Sequence, residues 1–219
     1  MLRYKITVLF ILLISICTFN FVEAGTNELP LLGKVIYLDP GHGGLDPGAM
    51  YKNIKEKNIN LQISKSLEKR LTKLGAIVYL TRYDDYDLSV NNTINRKRSD
   101  LSRRGNIINK SDCDLFLSIH LNAENTGIWK GAQTFYNTNN KENKKIAELL
   151  QQQFKEDLNS KRKAKNKNDL YLQKRINRPG VLIEVGFLSN ASERYLLKQE
   201  KYQDKVTLSI ANALLKYFK

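Results

Sequence analysis

The chain has 219 residues, 42% of them hydrophobic, and carries a formal net charge of +14. This length suits one domain with a full hydrophobic core, and no repeat, proline-rich linker or low-complexity tract divides the sequence. A positive charge of this size attracts polyanions, but no nucleic-acid-binding motif accompanies it, so nucleic acid is not an expected partner.

The first residues predict an export signal. A basic start at residues 1–5 is followed by an apolar run over residues 6–22, and Val22 and Ala24 place aliphatic or small residues at the two positions that a signal peptidase reads. We predict a signal peptide over residues 1–24 and the mature domain over residues 25–219. An uncleaved membrane anchor is the alternative, because the apolar run is at the short limit for crossing a hydrocarbon core of about 30 Å. Either way the domain is exported, and wall polyanions or anionic lipid headgroups are the expected contacts of its basic surface.

The cysteine and histidine content limits the metal chemistry. Cys113 is the only cysteine outside the predicted signal, which excludes a disulfide framework and zinc sites built from several cysteines. We interpret Cys113 as a buried, inert thiol. Since the chain has 2 histidines, any metal must be held by histidine and carboxylate side chains.

A glycine-rich loop follows the first predicted strand, residues 34–39. His42 stands in Gly41-His42-Gly43-Gly44, where the glycines let the backbone approach whatever His42 binds. The other histidine, His120, also ends an apolar run, Leu115–Ile119. A lone histidine at a strand end is more often structural than a ligand. Because both histidines of the chain occupy such positions, the structural and the ligand interpretations are evenly balanced at this point.

Two carboxylates occupy unusual positions. Glu56 lies in or just before the first turn of an amphipathic helix that ends at Gly75, where the helix dipole favours a negative charge. That helix start can also direct Glu56 back towards the strand end at His42. Glu184 interrupts an otherwise apolar strand, and a buried glutamate requires strong pairing or a function.

The remaining pattern alternates strands with helices. Arg82 follows the second major strand, and we expect it to balance the acidic loop after it rather than to face the cleft. The lysine-rich run from Ser160 to Asn168 is predicted as a solvated loop, with contact to a wall polyanion as the alternative. The other elements are predicted as strands at 76–80, 115–119, 131–136 and 179–187 and as helices at 101–109, 141–158 and 202–218.

This alternation predicts an α/β fold, a single domain with a mostly parallel central sheet and helices on both faces. The ends of neighbouring strands then converge on one rim, where His42, Glu56, His120 and Glu184 can meet. Two neutral imidazoles and one carboxylate make a zinc site with an open position for water, which leaves a second carboxylate as base.

At these residues the sequence resembles the zinc-dependent N-acetylmuramoyl-L-alanine amidases of the amidase 3 family. The resemblance extends over the whole mature domain, from about Lys34 to Lys219. It rests on several motifs in order: Leu38-Asp39-Pro40-Gly41-His42-Gly43-Gly44-Leu45-Asp46-Pro47-Gly48-Ala49, Glu56-Lys57, Asn60-Leu61, Leu101 with Arg104, Ser118-Ile119-His120-Leu121-Asn122-Ala123, and Glu184-Val185-Gly186-Phe187-Leu188-Ser189-Asn190.

The resemblance implies that His42, Glu56 and His120 ligate one Zn²⁺ per chain and that Glu184 is the catalytic base. It implies hydrolysis of the amide between N-acetylmuramic acid and L-alanine, with peptidoglycan as substrate and no organic cofactor. Two alternatives remain. One is another zinc hydrolase of the wall, a peptidase or a deacetylase, and the other is a non-catalytic wall-binding protein with a vestigial site.

The single-domain form, with Trp129 and Gly131–Tyr136, resembles the sporulation branch of the family. Members of that branch modify spore cortex peptidoglycan before muramic lactam formation. We therefore expect an exported protein at the cell wall or the outer face of the membrane, including the forespore intermembrane space. An accessory protein at the membrane surface is a further expected partner, because the sequence has no targeting module beyond the signal.

Overall fold

The structure, a computed structural model, describes residues 29–91 and 93–219. The predicted signal peptide or membrane anchor, residues 1–24, lies outside the described residues. Within the described part of the chain, no helix combines the length and apolar character needed to cross a membrane.

A six-stranded sheet with the strand order β4-β1-β5-β8-β6-β7 forms the centre of the domain, and β2 and β3 form a separate two-stranded hairpin. All neighbours in the large sheet are parallel except β6, which runs antiparallel to β8. The strands are β1 Val35–Pro40, β2 Met50–Tyr51, β3 Ile54–Lys55, β4 Ile77–Leu80, β5 Leu115–Asn122, β6 Gln133–Tyr136, β7 Lys165–Asn166 and β8 Gly180–Phe187.

Helices cover both faces of this sheet. The long helices α1, α3 and α6 pack on one face, where their apolar residues and those of the strands form the main core. The shorter elements α2 and α4 pack on the other face around a small cluster that includes Ile108, Phe116 and Leu172. The helices are α1 Glu56–Lys73, α2 Arg96–Lys110, α3 Glu142–Leu158, α4 Tyr171–Arg175, α5 Ala191–Leu197 and α6 Glu200–Tyr217.

The unequal cover of the two faces positions the polar residues. Side chains alternate between the faces of a strand, so Leu117 and Ile119 of β5 and Ile183 of β8 enter the main core. His120 and Glu184 therefore point to the thinly covered face, which we call the open face. At the carboxyl ends of β5 and β8 this face lines a cavity together with residues of α2 and α4, among them Arg104 and Gln173.

The predicted fold class is confirmed, with a mostly parallel sheet and helices on both faces. The prediction of a solvated loop over Ser160–Asn168 is wrong in part. Residues Lys165–Asn166 form the edge strand β7 on β6, and Ser160 is buried with its hydroxyl donating to the Ala132 carbonyl at 2.7 Å. The backbone of this run satisfies the otherwise unpaired edge of β6, which its polar side chains do not reveal.

Candidate active site

The glycine loop is shaped by close contacts with the groups around it. His42 adopts a left-handed backbone conformation with φ of 63°. A Cβ atom at Gly41 would lie 2.2 Å from the His120 ring, and one at Gly48 would lie 2.5 Å from a Glu56 carboxylate oxygen. Glycine is therefore required at both positions, because the loop backbone packs directly against the two side chains that it must face.

His42, Glu56 and His120 converge at the open face, and we call these residues the metal corner. One potential ligand atom of each lies within 4.8 Å of the others. Glu56 Oε1 is 3.3 Å from His42 Nε2 and 3.1 Å from His120 Nδ1. Ligands on a tetrahedral zinc ion, with bonds of about 2.1 Å, are separated by about 3.4 Å. The donor atoms and their spacing both fit zinc.

Glu56 occupies the position that the sequence predicted, at the first residue of α1. The side chain is 3% exposed. Its Oε2 accepts a hydrogen bond from the Ala49 amide at 2.8 Å, and its Oε1 accepts from the Leu121 amide at 3.0 Å and from Asn60 Nδ2 at 3.1 Å. These bonds fix the carboxylate from both the glycine loop and β5.

The His42 ring is oriented by Asp46, whose Oδ2 lies 2.8 Å from His42 Nδ1. A carboxylate on one ring nitrogen leaves the other nitrogen free for a metal, an arrangement common among metal-binding histidines. The sequence motif contained Asp46, but nothing in its type or spacing showed that it would contact His42.

The contacts within the metal corner shift the pKa values of Glu56 and His42 in opposite directions. Burial favours the neutral acid form of Glu56, but hydrogen bonds from His120 and His42 hold the pKa of Glu56 well below its usual range. Burial opposes the charged form of His42, yet hydrogen bonds to Glu56 and Asp46 raise its pKa. Glu56 therefore stays ionised, and its carboxylate stabilises a cation placed beside it.

Glu184 lies one strand away from the metal corner. It is directly opposite His120 in the register of β5 and β8, and both side chains line a cavity of about 240 Å³ together with His42. The Oε2 atom is buried and has no hydrogen-bond partner among the described residues. Burial raises the pKa of Glu184 to about 7, a value suited to a group that takes and returns a proton near neutral pH.

A buried charge network that sequence reasoning did not predict supports the glycine loop from below. Arg104 donates to Asp39 Oδ1 at 2.9 Å, to Asp100 Oδ2 at 2.8 Å and to the His42 carbonyl at 2.7 Å. Asp39 also accepts hydrogen bonds from the hydroxyl groups of Thr81 and Ser118. The network connects β1, β5 and α2 and ends on the backbone of a metal-corner residue.

Arg82 has a different role from the one we expected. Its guanidinium is buried and donates to the carbonyl groups of Pro40, Gly41, Lys57 and Asp84. The expectation that it balances the acidic loop is correct only in part, because Arg82 contacts that loop through the Asp84 carbonyl and none of its hydrogen bonds goes to a carboxylate. Arg82 satisfies carbonyls that the irregular glycine loop leaves without strand partners.

Cys113 is buried, as the sequence indicated, and its pKa is raised by that burial. A second cavity of about 410 Å³ adjoins the first and shares Glu184 with it. Its other lining residues include Trp129, Gln133, Arg162 and Lys165. The two cavities together form a cleft that runs along the open face, with Glu184 where they meet.

Comparison with known proteins shows the same family along nearly the whole described chain. Residues 36–216 match the Amidase_3 family, described as N-acetylmuramoyl-L-alanine amidase. The germination-specific N-acetylmuramoyl-L-alanine amidase of Bacillus subtilis (strain 168) is 44% identical over 216 residues, which cover 95% of this chain and 91% of that protein.

Solved structures agree with these matches. The CwlD amidase of Clostridioides difficile, solved in complex with the GerS lipoprotein, is 40% identical and has a TM-score of 0.79, covering 84% of this chain and 98% of that one. An N-acetylmuramoyl-L-alanine amidase of Clostridium difficile 630 is 33% identical with a TM-score of 0.75, covering 84% of this chain and 96% of that one. The chain therefore belongs to the Amidase_3 family and is an N-acetylmuramoyl-L-alanine amidase.

Proposed function

We propose that the chain is a zinc-dependent enzyme in which His42, Glu56 and His120 hold one Zn²⁺ and Glu184 is the catalytic base. The observation that carries this assignment is the convergence of two imidazoles and a carboxylate beside a second, unpaired carboxylate. A bound zinc ion supplies a Lewis acid that polarises the scissile carbonyl and makes water more acidic. The bond to be broken joins the lactyl group of N-acetylmuramic acid to L-alanine.

Glu184 performs the proton transfers in this proposal. Its carboxylate takes a proton from the attacking water as the new bond between carbon and oxygen forms. It then gives that proton to the nitrogen of L-alanine as the bond between carbon and nitrogen breaks. The products are a lactyl carboxylate on the glycan and a stem peptide with a free amino terminus. No covalent enzyme intermediate is required.

The similarity to the germination-specific enzyme supports a narrower proposal, that the substrate is spore cortex peptidoglycan and that cleavage precedes muramic lactam formation. The position of the enzyme would then be outside the membrane, at the cell wall or in the forespore intermembrane space. The CwlD amidase was solved with the GerS lipoprotein, which supports an accessory protein at the membrane surface as a partner of this chain.

The test is mass spectrometry of fragments released from purified peptidoglycan, with the metal content of the same protein sample measured in parallel. We expect intact stem peptides that begin with L-alanine, and about one zinc per chain. Release of acetate, or cuts within the peptide, would assign the site to a deacetylase or a peptidase instead. A protein that binds peptidoglycan but neither retains zinc nor releases fragments would be a non-catalytic wall-binding protein.

The partner proposal has its own test. Zinc content and activity are compared with and without a candidate lipoprotein from the same organism, at equal enzyme concentration. We expect a higher zinc content or activity in its presence, and equal values would contradict the proposal.

A further inference from the structure

A row of polar side chains crosses the open face from the metal corner to β6, and Lys165 follows on the edge strand β7. In the strand register His120 lies opposite Glu184, and Glu184 lies opposite Gln133. The next strand is β7, whose Lys165 lies opposite Phe135. Neighbouring strands are about 4.8 Å apart, so β7 is roughly 10 Å from the strand of Glu184.

The side chains of Lys165 and Lys167 point to this row. Alternate residues of an extended segment share one face, and both lysines line the same cavity as Glu184 and Gln133. The ammonium group of Lys167 lies 5.7 Å from the centre of the Phe135 ring, which places it over the sheet. The two lysines therefore line the cleft, although their side chains are exposed to solvent.

Arg162 adds a third cation that is held in place. Its guanidinium carbon lies 5.0 Å from the centre of the Trp129 ring and 4.8 Å from that of the Phe187 ring. Its Nε atom is buried and has no hydrogen-bond partner among the described residues. Stacking against two rings fixes the direction of this side chain at the cleft wall. We call Arg162, Lys165 and Lys167 the basic wall.

None of the three cations of the basic wall forms a salt bridge in the described part of the chain. Glu193, which lies near Arg162, already accepts hydrogen bonds from the Gly131 and Phe187 amides. Glu124 lines the same cavity but pairs with none of the cations. Their positive charge is therefore available to an anion that enters the cleft.

We propose that the basic wall binds the carboxylates of the stem peptide, the leaving group of the reaction. This inference rests on the proposed function and names the part of the substrate that this side of the cleft receives. The lactyl carboxyl group of muramic acid is consumed in the scissile amide, so an unmodified glycan strand carries no carboxylate. The negative charge of the substrate lies in the peptide.

The spacing agrees with this orientation. An extended peptide rises about 3.4 Å per residue, so about three residues reach from Glu184 to β7. A stem peptide that starts at the scissile nitrogen would thus bring the carboxylates of its second and third residues to Lys165 and Lys167. The glycan extends from the other side of the scissile bond, away from the basic wall.

The test compares two double variants of equal charge change. Lys165→Gln/Lys167→Gln removes cations that line the cleft, and Lys161→Gln/Lys163→Gln removes cations of the same segment that line a different groove. Each protein hydrolyses a synthetic N-acetylmuramyl tripeptide with free carboxylates and the same compound with its carboxylates amidated. Zinc content and thermal unfolding are measured for every variant.

We expect Lys165→Gln/Lys167→Gln to raise KM for the free substrate roughly tenfold, the effect of two partly exposed charge pairs, and to change kcat much less than KM. With the amidated substrate we expect the cleft variant and the parent enzyme to have equal KM values. The control variant should match the parent on both substrates. Equal KM values for parent and cleft variant would overturn the inference.

Equal KM increases in both double variants would also overturn it, because they would show a diffuse attraction of the kind that wall polyanions exert on any basic surface. If the parent cleaves the free substrate and the cleft variant has the same kinetics, only the role of the basic wall is refuted. A parent enzyme that cleaves neither substrate refutes the proposed function, and the inference fails with it.

Discussion

The metal corner and the basic wall lie on the same open face, but they are held in different ways. Glu56 is buried and bonded to Ala49, Leu121 and Asn60, whereas Lys165 and Lys167 are exposed and have no salt bridge among the described residues. The difference shows where preorganisation is needed. Metal binding and proton transfer require fixed atoms, and recognition of a flexible, charged peptide requires only charge in the right place.

Replacing a metal-corner ligand should have the largest effect. His120→Ala leaves one imidazole and one carboxylate, so we expect zinc to be lost and amidase activity to fall to background. Metal analysis and fragment release from peptidoglycan measure the two effects on one sample. A variant that keeps one zinc per chain would show that His120 is not a ligand.

The next largest effect should come from Glu184→Gln. The amide has nearly the shape of the carboxylate but cannot take a proton, so we expect zinc content to be unchanged and kcat to fall roughly 10²–10⁴-fold. Glu124→Gln is the matched control, because Glu124 lines the adjoining cavity and has no assigned chemistry. If both variants turned over substrate at the parent rate, Glu184 would not be the base.

Below the metal corner, the buried charge network should matter for stability. Arg104→Met leaves Asp39 charged and buried without its main partner, and we expect a loss of about 3–5 kcal/mol in the free energy of unfolding. Denaturant unfolding measures this loss. Arg178→Met, which removes an exposed pair with Asp112, is the control and should change stability by less than about 1 kcal/mol.

The same network predicts a pH dependence. Burial opposes the charge on Asp39, but Arg104 and hydrogen bonds from Thr81 and Ser118 hold the pKa of this carboxyl below its usual range. Its contribution to stability is therefore present above its unfolded pKa and is lost as the pH falls through its lower folded pKa. Asp39→Asn should be less stable than the parent near about pH 7, and the difference should shrink in acid. A difference that grew in acid would contradict this assignment.

A smaller effect on zinc binding is expected at Asp46, which orients the His42 ring but is not itself one of the three proposed ligands. Asp46→Asn should weaken zinc binding roughly 10–100-fold while leaving the fold intact. Competition with a chelator of known affinity measures the change. Asp85→Asn is a suitable control, because Asp85 pairs with Lys57 rather than with a metal-corner residue.

The smallest effect should be found at the rim of the basic wall. Trp129→Ala removes one of the two rings that hold Arg162, and a stack of this kind contributes about 0.5–1 kcal/mol. We expect kcat/KM to fall about two- to fivefold with zinc content unchanged. A loss as large as that of Glu184→Gln would mean that the wall is as tightly preorganised as the metal corner, and the contrast between them would disappear.

The sequence by itself predicted the class of the fold and indicated the four polar residues that the structure brings together on the open face. Strand and helix periodicity predicted the alternating elements, because the burial of one face imposes a local pattern on the residues. His42, His120 and Glu184 could be identified because each breaks an apolar strand or follows its end. Glu56 could be identified because a helix start after a glycine loop aims back at that loop.

Only the tertiary structure decided what supports these residues. Asp39 and Arg104 are 65 positions apart, and Arg82 could equally have paired with the acidic loop that follows it in sequence. The lysine run became an edge strand because β6 had a free edge beside it. These pairings depend on which backbone groups and charges lack a partner once the other elements have packed, and a local sequence pattern does not contain that information.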